Sequence, residues 1–424
     1  MTKTKTSLSN QLLAIGPGIL MAGAAIGVSH LVQATRAGAD YGFSLLWLLI
    51  LAIVSKYPFL EFGPRYAAAT GQNLITGYRQ MGRFAYWSYI VITVGTMFII
   101  QAAVTVVTAG LAEQLFRLGW SATVWSALIL ALCVCLLYIG RYGVLDVTMK
   151  VIVSLLTILT VIAVLGALGG TNVRDTVSIT PPSYWNAPGI AFAIAFMGWM
   201  PIPLDASVWH SIWTGERALQ TNYSPTLKEA NFDFNLGYIS AGIIGLFFFV
   251  LGALVMFGSG ETFSDSSVLF SVQLIEIYSK TLGGWSAPFI AITALITMFS
   301  TTLAVTDAYP RVMLALWEEH FPSEKKAHIQ SNIYRLSLFI IPLIALSILI
   351  FLAGQSFTIL VDFASGLSFL AAPVIGYFNL KLISGKLTPK GARPNKWYRY
   401  FSWACWWWLV IFTLIWFYWS FIAR

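Results

Sequence analysis

Charge is what this sequence has least of. Only 10% of its 424 residues are Asp, Glu, Lys or Arg, where soluble domains carry about 25%, so an ordinary water-solvated globule is excluded. Cysteine is nearly absent, and Cys133, Cys135 and Cys405 all fall inside apolar segments. That excludes a disulfide framework and leaves them as small core residues. No phosphate-binding glycine loop, clustered metal motif of the enzyme kind, or nucleophile with an ordered base occurs. The polar segments at 214–234, 259–282 and 310–332 are too short for a catalytic domain. An enzyme is therefore not expected, nor is a resident cofactor. The net charge of +8 forms no basic face, because Lys and Arg sit in loops, and a nucleic-acid partner is excluded with it.

What is present is apolar: 58% of the chain is hydrophobic. Runs of about 20 residues, enough to cross a hydrocarbon core of about 30 Å, recur from residue 12 to residue 422. The reading is an all-α polytopic protein whose main partner is the lipid bilayer. Eleven spans are predicted, at 12–36, 41–69, 84–115, 120–140, 144–169, 187–213, 235–258, 283–309, 333–352, 356–381 and 400–422. The first apolar segment runs on past Ala22-Gly23-Ala24, so it reads as span 1 rather than a cleaved signal.

Seventeen Lys and Arg residues fall in the segments on the side of the N-terminus, and five (Arg36, Arg117, Arg174, Lys280, Arg424) fall opposite. The positive-inside bias then places the N-terminus in the cytoplasm and the C-terminus outside. Compact loops and the lack of a transit peptide fit a bacterial cytoplasmic membrane. Trp120, Trp125, Trp185 and Trp406-Trp407-Trp408 crowd span ends, as interfacial anchors do.

A helix in lipid can give up backbone hydrogen bonds only where protein or water replaces them, so a break at mid-depth points to function. Span 1 has Gly23-Ala24-Ala25-Ile26-Gly27-Val28-Ser29-His30 near its middle, and span 6 has Gly198-Trp199-Met200-Pro201-Ile202-Pro203-Leu204-Asp205 at the corresponding depth. Two prolines so close make a continuous span 6 implausible. Spans 1 and 6 would each begin one of two inverted five-helix repeats, residues 1–169 and 187–381, with a loop and an extra helix in 382–424. The unwound stretches of such a pair commonly face each other around a substrate.

Asp205 is the most informative residue, since a carboxylate deep in a span needs a partner, water or a cation. With the carbonyls freed beside it, it offers hard oxygen ligands; alternatively it caps the amides of the second half-helix. Gly27, Pro201 and Met200 line the two breaks. His30 and His210 lie in the broken spans as ligands, proton carriers or structural histidines. In span 8, Thr302 and Thr306 either line a cation pathway or bond back to their own helix, and Asp307 has Arg311 one turn on as a partner. Gln101 in span 3 and Asp362 in span 10 complete the candidates. Lys56, Glu61 and Arg65 in span 2, and Asp146 with Lys150 in span 5, read as structural ion pairs.

Several stretches resemble the NRAMP (natural resistance-associated macrophage protein) family of divalent metal transporters. They are Gly16-Pro17, Ala37-Gly38-Ala39-Asp40-Tyr41-Gly42 with Leu45-Leu46-Trp47, Ala69-Thr70-Gly71-Gln72-Asn73-Leu74, His210-Ser211, the threonine-rich span 8, and Arg335 entering span 9. The resemblance implies a LeuT-type inverted-repeat fold with helices 1 and 6 broken. It implies secondary transport of a divalent cation by alternating access.

The chain departs from that family at its functional positions. The family's Asp-Pro-Gly-Asn in helix 1 is Gly27-Val28-Ser29-His30 here, its Met-Pro-His in helix 6 is Met200-Pro201-Ile202, and Gln101 and Val104 replace the two acidic residues of helix 3. Asp205, Met200 and His30 are then the candidate metal ligands, with a carboxylate for charge and a thioether for selectivity. The coupling ion is a proton or sodium. The rival reading is a cation-coupled symporter of a small organic solute held at half-helix N-termini. A non-transporting membrane sensor is a lesser alternative.

Overall fold

The computed structural model describes residues 14–140, 142–170, 179–321 and 327–422, the side chains of 142–153, 170 and 327–330 excepted. Lys3, Lys5, Arg141, Arg174, Lys325, Lys326, Arg424 and the Asp146–Lys150 pairing lie outside that description.

Among the described residues the chain is helical with no strand. Helices are numbered here as the predicted spans. They are α1a (Pro17–Ala25) and α1b (a wide-turn segment Ser29–Ala34 running into Thr35–Tyr41), α2 (Leu46–Thr70), α3 (Arg83–Phe116), α4 (Ala122–Ile139), α5 (Tyr142–Gly170), α6a (Ala187–Trp199) and α6b (Ala206–Thr221), α7 (Leu227–Val255), α8 (Ala287–His320), α9 (Ala327–Phe351), α10 (Phe357–Ser384) and α11 (Lys396–Phe421). Short helices at Leu74–Met81 and Ser267–Leu282 lie between α2 and α3 and between α7 and α8. Eight helical segments of the described chain are long and apolar enough to cross a membrane, one of them, Ser29–Thr70, holding both α1b and α2. With α5 and the interrupted α1 and α6, the eleven predicted spans are accounted for.

Several boundaries differ from the sequence reading, and three of them have a clear physical reason. The connection after span 1 is expected at residues 37–40, but α1b continues to Tyr41 and the chain turns at Gly42, whose φ of +55° suits glycine. Gly38 instead permits close packing: a Cβ there would lie 2.0 Å from the Phe249 carbonyl of α7. Helix α7 starts at Leu227, eight residues before the expected 235, because Thr226 and Glu229 form a reciprocal capping box. Helix α8 runs through Pro310 to His320, past the expected end at 309, because its later turns stay packed in the bundle through Val312, Ala315 and Leu316.

The buried core gathers around α1 and α6, and it is unusually polar. Lys56, Gln101, His30, His210, Thr302 and Asp233 are all essentially inaccessible, which in a lipid-facing protein requires partners inside the bundle. Ion pairing at Glu61–Arg65 occurs as expected, at 2.6 Å.

Candidate functional site

Helix α1 loses its regular pattern at Ile26–Val28, and α6 at Met200–Asp205, where Pro201 and Pro203 lack the amide hydrogens a helix requires. Both predicted breaks are therefore present. They also face each other: Ser29 Oγ lies 3.4 Å from the Pro201 carbonyl. A cavity of about 30 Å³ separates them, lined by Ala25, Val28, Ser29, Pro201, Ile202, Pro203 and Thr301 among others. That is room for about one water, so the two breaks pack close together.

Carbonyls freed by a break must find donors. At α1 they find hydroxyls. Ser29 Oγ donates to Ala25 O at 2.7 Å, and Thr301 Oγ1 of α8 reaches Gly23 O at 3.0 Å and Ile26 O at 3.2 Å. Gly27 must be glycine for this, since a Cβ would stand 2.5 Å from Thr301 Oγ1.

At α6 the donor is a cation. Lys56 Nζ of α2 donates to Met197 O at 2.5 Å, Gly198 O at 2.7 Å and Ile202 O at 3.2 Å. The expectation that Lys56 belongs to a structural ion pair, within α2 or between helices, is corrected here: its side chain ends on backbone carbonyls inside the α6 break. Met197 and Gly198 close the last turn of α6a, where the helix dipole concentrates negative potential. The buried Asp205 lies within electrostatic reach of the Lys56 ammonium without forming an ion pair.

Asp205 occupies the N-cap position of α6b but makes no capping bond with its side chain, so it is not the helix cap that was one of its two readings. It is 5% exposed, and its Oδ2 has no hydrogen-bond partner among the described residues. Met200 is fully buried. Its Sδ and the His30 Nε2 both abut Gly245 of α7, lying 2.8 and 3.4 Å from where a Cβ would be. His30 has both ring nitrogens engaged, Nδ1 with Ser29 Oγ at 2.6 Å and Nε2 with Ala241 O at 2.8 Å. In this conformation neither nitrogen is open to a metal.

The remaining candidates divide between the middle and the two ends. Gln101 does not line the cavity between the breaks. Its neighbours Ile100 and Val104 do, and the helical rotation turns its amide to Thr306 Oγ1 at 3.1 Å. Thr302 meets Thr108 of α3 at 2.7 Å, while both α8 threonines also bond back to Met298 O and Thr302 O. A neutral ladder thus joins α3 to α8. His210 lies 3.7 Å from Asp233 Oδ2 of α7, and Asp233 caps α1a by accepting from Gly16 N at 3.0 Å and Gly18 N at 2.6 Å. Asp307 pairs with Arg311 at 2.7 Å as expected and accepts from Tyr334. Arg311 also reaches Glu216 of α6b at 3.1 Å.

At the opposite end Asp362 of α10 takes a two-pronged bond from Arg36 of α1b, at 2.7 and 3.1 Å, and a third bond from Gln33 at 2.8 Å. Nearby, Asp265 accepts from Ser356 at 2.9 Å and from Thr358, and these bonds hold its carboxyl below the usual range. A cleft of about 390 Å³ lies there, lined by Asp265, Ser266 and Ser356, and one of about 630 Å³ lies at the other end, lined by Gln72, Thr214, Glu216 and Arg311. Among the described residues no three His, Cys, Asp or Glu side chains converge. Lys56 is the residue that sequence reasoning missed.

The family described as natural resistance-associated macrophage protein-like (Nramp) matches residues 18–420. An uncharacterized protein of Pasteurella multocida (strain Pm70) is 34% identical over 386 residues, covering 89% of this chain and 87% of its own. Among solved structures, an Eremococcus coleocola manganese transporter superposes with a TM-score of 0.70 at 14% identity, covering 98% of this chain and 87% of that one. MhsT in complex with L-phenylalanine superposes with a TM-score of 0.62 at 16% identity, covering 99% and 100%. Mhp1, a nucleobase-cation-symport-1 family transporter, gives 0.59 at 17% identity, covering 95% and 89%. The structural likenesses establish the LeuT-type fold with helices 1 and 6 broken.

Proposed function

The chain belongs to the Nramp family, and from that premise we propose that it moves a divalent metal cation across the membrane by alternating access around the paired breaks. The observation that carries this is Asp205: a buried carboxylate on the α6 break with an oxygen left without a partner. The ion is held by that oxygen, by the Met200 thioether, and by water, a mixture of hard and soft ligands that favours manganese or cadmium over magnesium. It does not use the carbonyls that Lys56 already holds.

The two inverted repeats are residues 1–169 and 187–381, and residues 382–424 add a loop and α11. The N-terminus is cytoplasmic and the C-terminus outside, in a bacterial cytoplasmic membrane. Arg36–Asp362 is then the outer closure, and the Asp307–Arg311–Glu216 group ties α6b to α8 near the inner face. Asp362→Asn is expected to loosen the outer closure. A cysteine placed at Ser29, with the three native cysteines replaced by serine, should react several-fold faster with an impermeant thiol reagent added outside.

A second reading is favoured by the occupied carbonyls at α6 and by the engaged His30 nitrogens, which leave few ligands for a metal: sodium- or proton-coupled symport of a small organic solute. Uptake of manganese, cadmium and magnesium into proteoliposomes, with and without sodium or proton gradients, separates the two. Manganese and cadmium flux is expected. Absence of any metal flux under every gradient would remove the first reading.

A further inference from the structure

We propose that Lys56 is a resident cation of the α6 break. Its ammonium fills a carbonyl cradle that a free monovalent ion would otherwise occupy, so the protein works without binding sodium or potassium there. The cradle has the chemistry of an alkali-ion site. Three carbonyls converge, two from the end of a half-helix and one from the non-helical segment beyond it, and the buried Asp205 carboxylate stands at the end of that same segment.

A Lys head group has three N–H donors, and all three find an oxygen here within 3.2 Å. The side chain is 0% exposed, so water does not share the cradle. Removing the ammonium leaves three carbonyls without donors and a carboxylate without a nearby positive charge, in a part of the bundle that cannot supply water cheaply. A small cation is the group that restores both.

A cation drawn from solution would make the break sodium-dependent. A cation tethered through α2 does not, and it adds a link between α2 and the segment joining α6a to α6b. Lys56 is thus a positioning residue that sets the ionic requirement of the break. The inference rests on the reading of α6 as the broken helix of a carrier.

Its test needs no transported substrate, so its failure is distinguishable from a failure of metal uptake. The detergent-purified chain is melted in choline, sodium or ethylammonium chloride at equal ionic strength. The unaltered protein should melt at the same temperature in all three. Lys56→Ala should melt lower in choline by at least about 3 °C and regain at least half of the loss in sodium or ethylammonium. If that variant does not survive purification, Lys56→Gln takes its place with the same readings. The proposal is overturned if sodium raises the melting temperature of the unaltered protein, if it binds one sodium per chain by radiotracer, or if the variant either loses no stability or regains none with either cation.

Discussion

Asp205→Ala is expected to lower the initial rate of manganese uptake at least about 100-fold. The substitution removes the carboxylate of the α6 break and leaves the Lys56 ammonium without a nearby negative charge. Loss of a charge-assisted contact to the ion worth about 2.8 kcal/mol corresponds to a hundredfold, and an uncompensated buried ammonium adds a further cost. Because part of that cost falls on stability, uptake is compared per folded protein, with the fraction folded read by size-exclusion chromatography. Asp205→Asn keeps the volume and the hydrogen-bonding oxygen without the charge, and should be nearly as inactive. Metal uptake that survives Asp205→Ala would show that the site lies elsewhere.

The second large effect concerns the α1 break, where Gly27 and Thr301 occupy each other's space. A Cβ at Gly27 would stand 2.5 Å from Thr301 Oγ1, the hydroxyl that serves the Gly23 and Ile26 carbonyls. Gly27→Ala should therefore push that hydroxyl away, at a cost of about 1–3 kcal/mol in overpacking and lost hydrogen bonding. In a Thr301→Ala background the obstacle is gone, and the same glycine substitution should cost less than about half as much. Melting and uptake measured for the two single variants and the double variant give the coupling. Additive effects would mean that Thr301 does not pin the break.

The breaks themselves were legible in the sequence because prolines and clustered small residues act locally. Pro201 and Pro203 cannot both sit in a regular helix whatever surrounds them, and Asp205 beside them is costly in any fold. Lys56 was not legible for the opposite reason. Its partners are carbonyls, which every residue carries, and they lie more than 140 positions away on another helix. A lysine five residues before a glutamate and nine before an arginine looks like part of a charge network along α2, and only Glu61–Arg65 is one.

Gly38 illustrates a second limit. Glycine signals both turns and close helix contacts, and without the position of α7 the two are indistinguishable. The Thr226–Glu229 spacing is that of a capping box, and it marks the start of α7 in the sequence itself. Nothing in the sequence indicates that both His30 nitrogens are engaged, since Ala241 contributes only its backbone.

In the proposed mechanism Asp205, at the α6b end of the α6 break, binds the transported metal. Calorimetric titration of the purified chain with manganese and with cadmium tests it most directly. One ion bound per chain is expected, with binding lost in Asp205→Ala and cadmium binding weakened relative to manganese in Met200→Ala. Absence of binding of either ion by a folded, unaltered chain, or undiminished binding by Asp205→Ala, would contradict it.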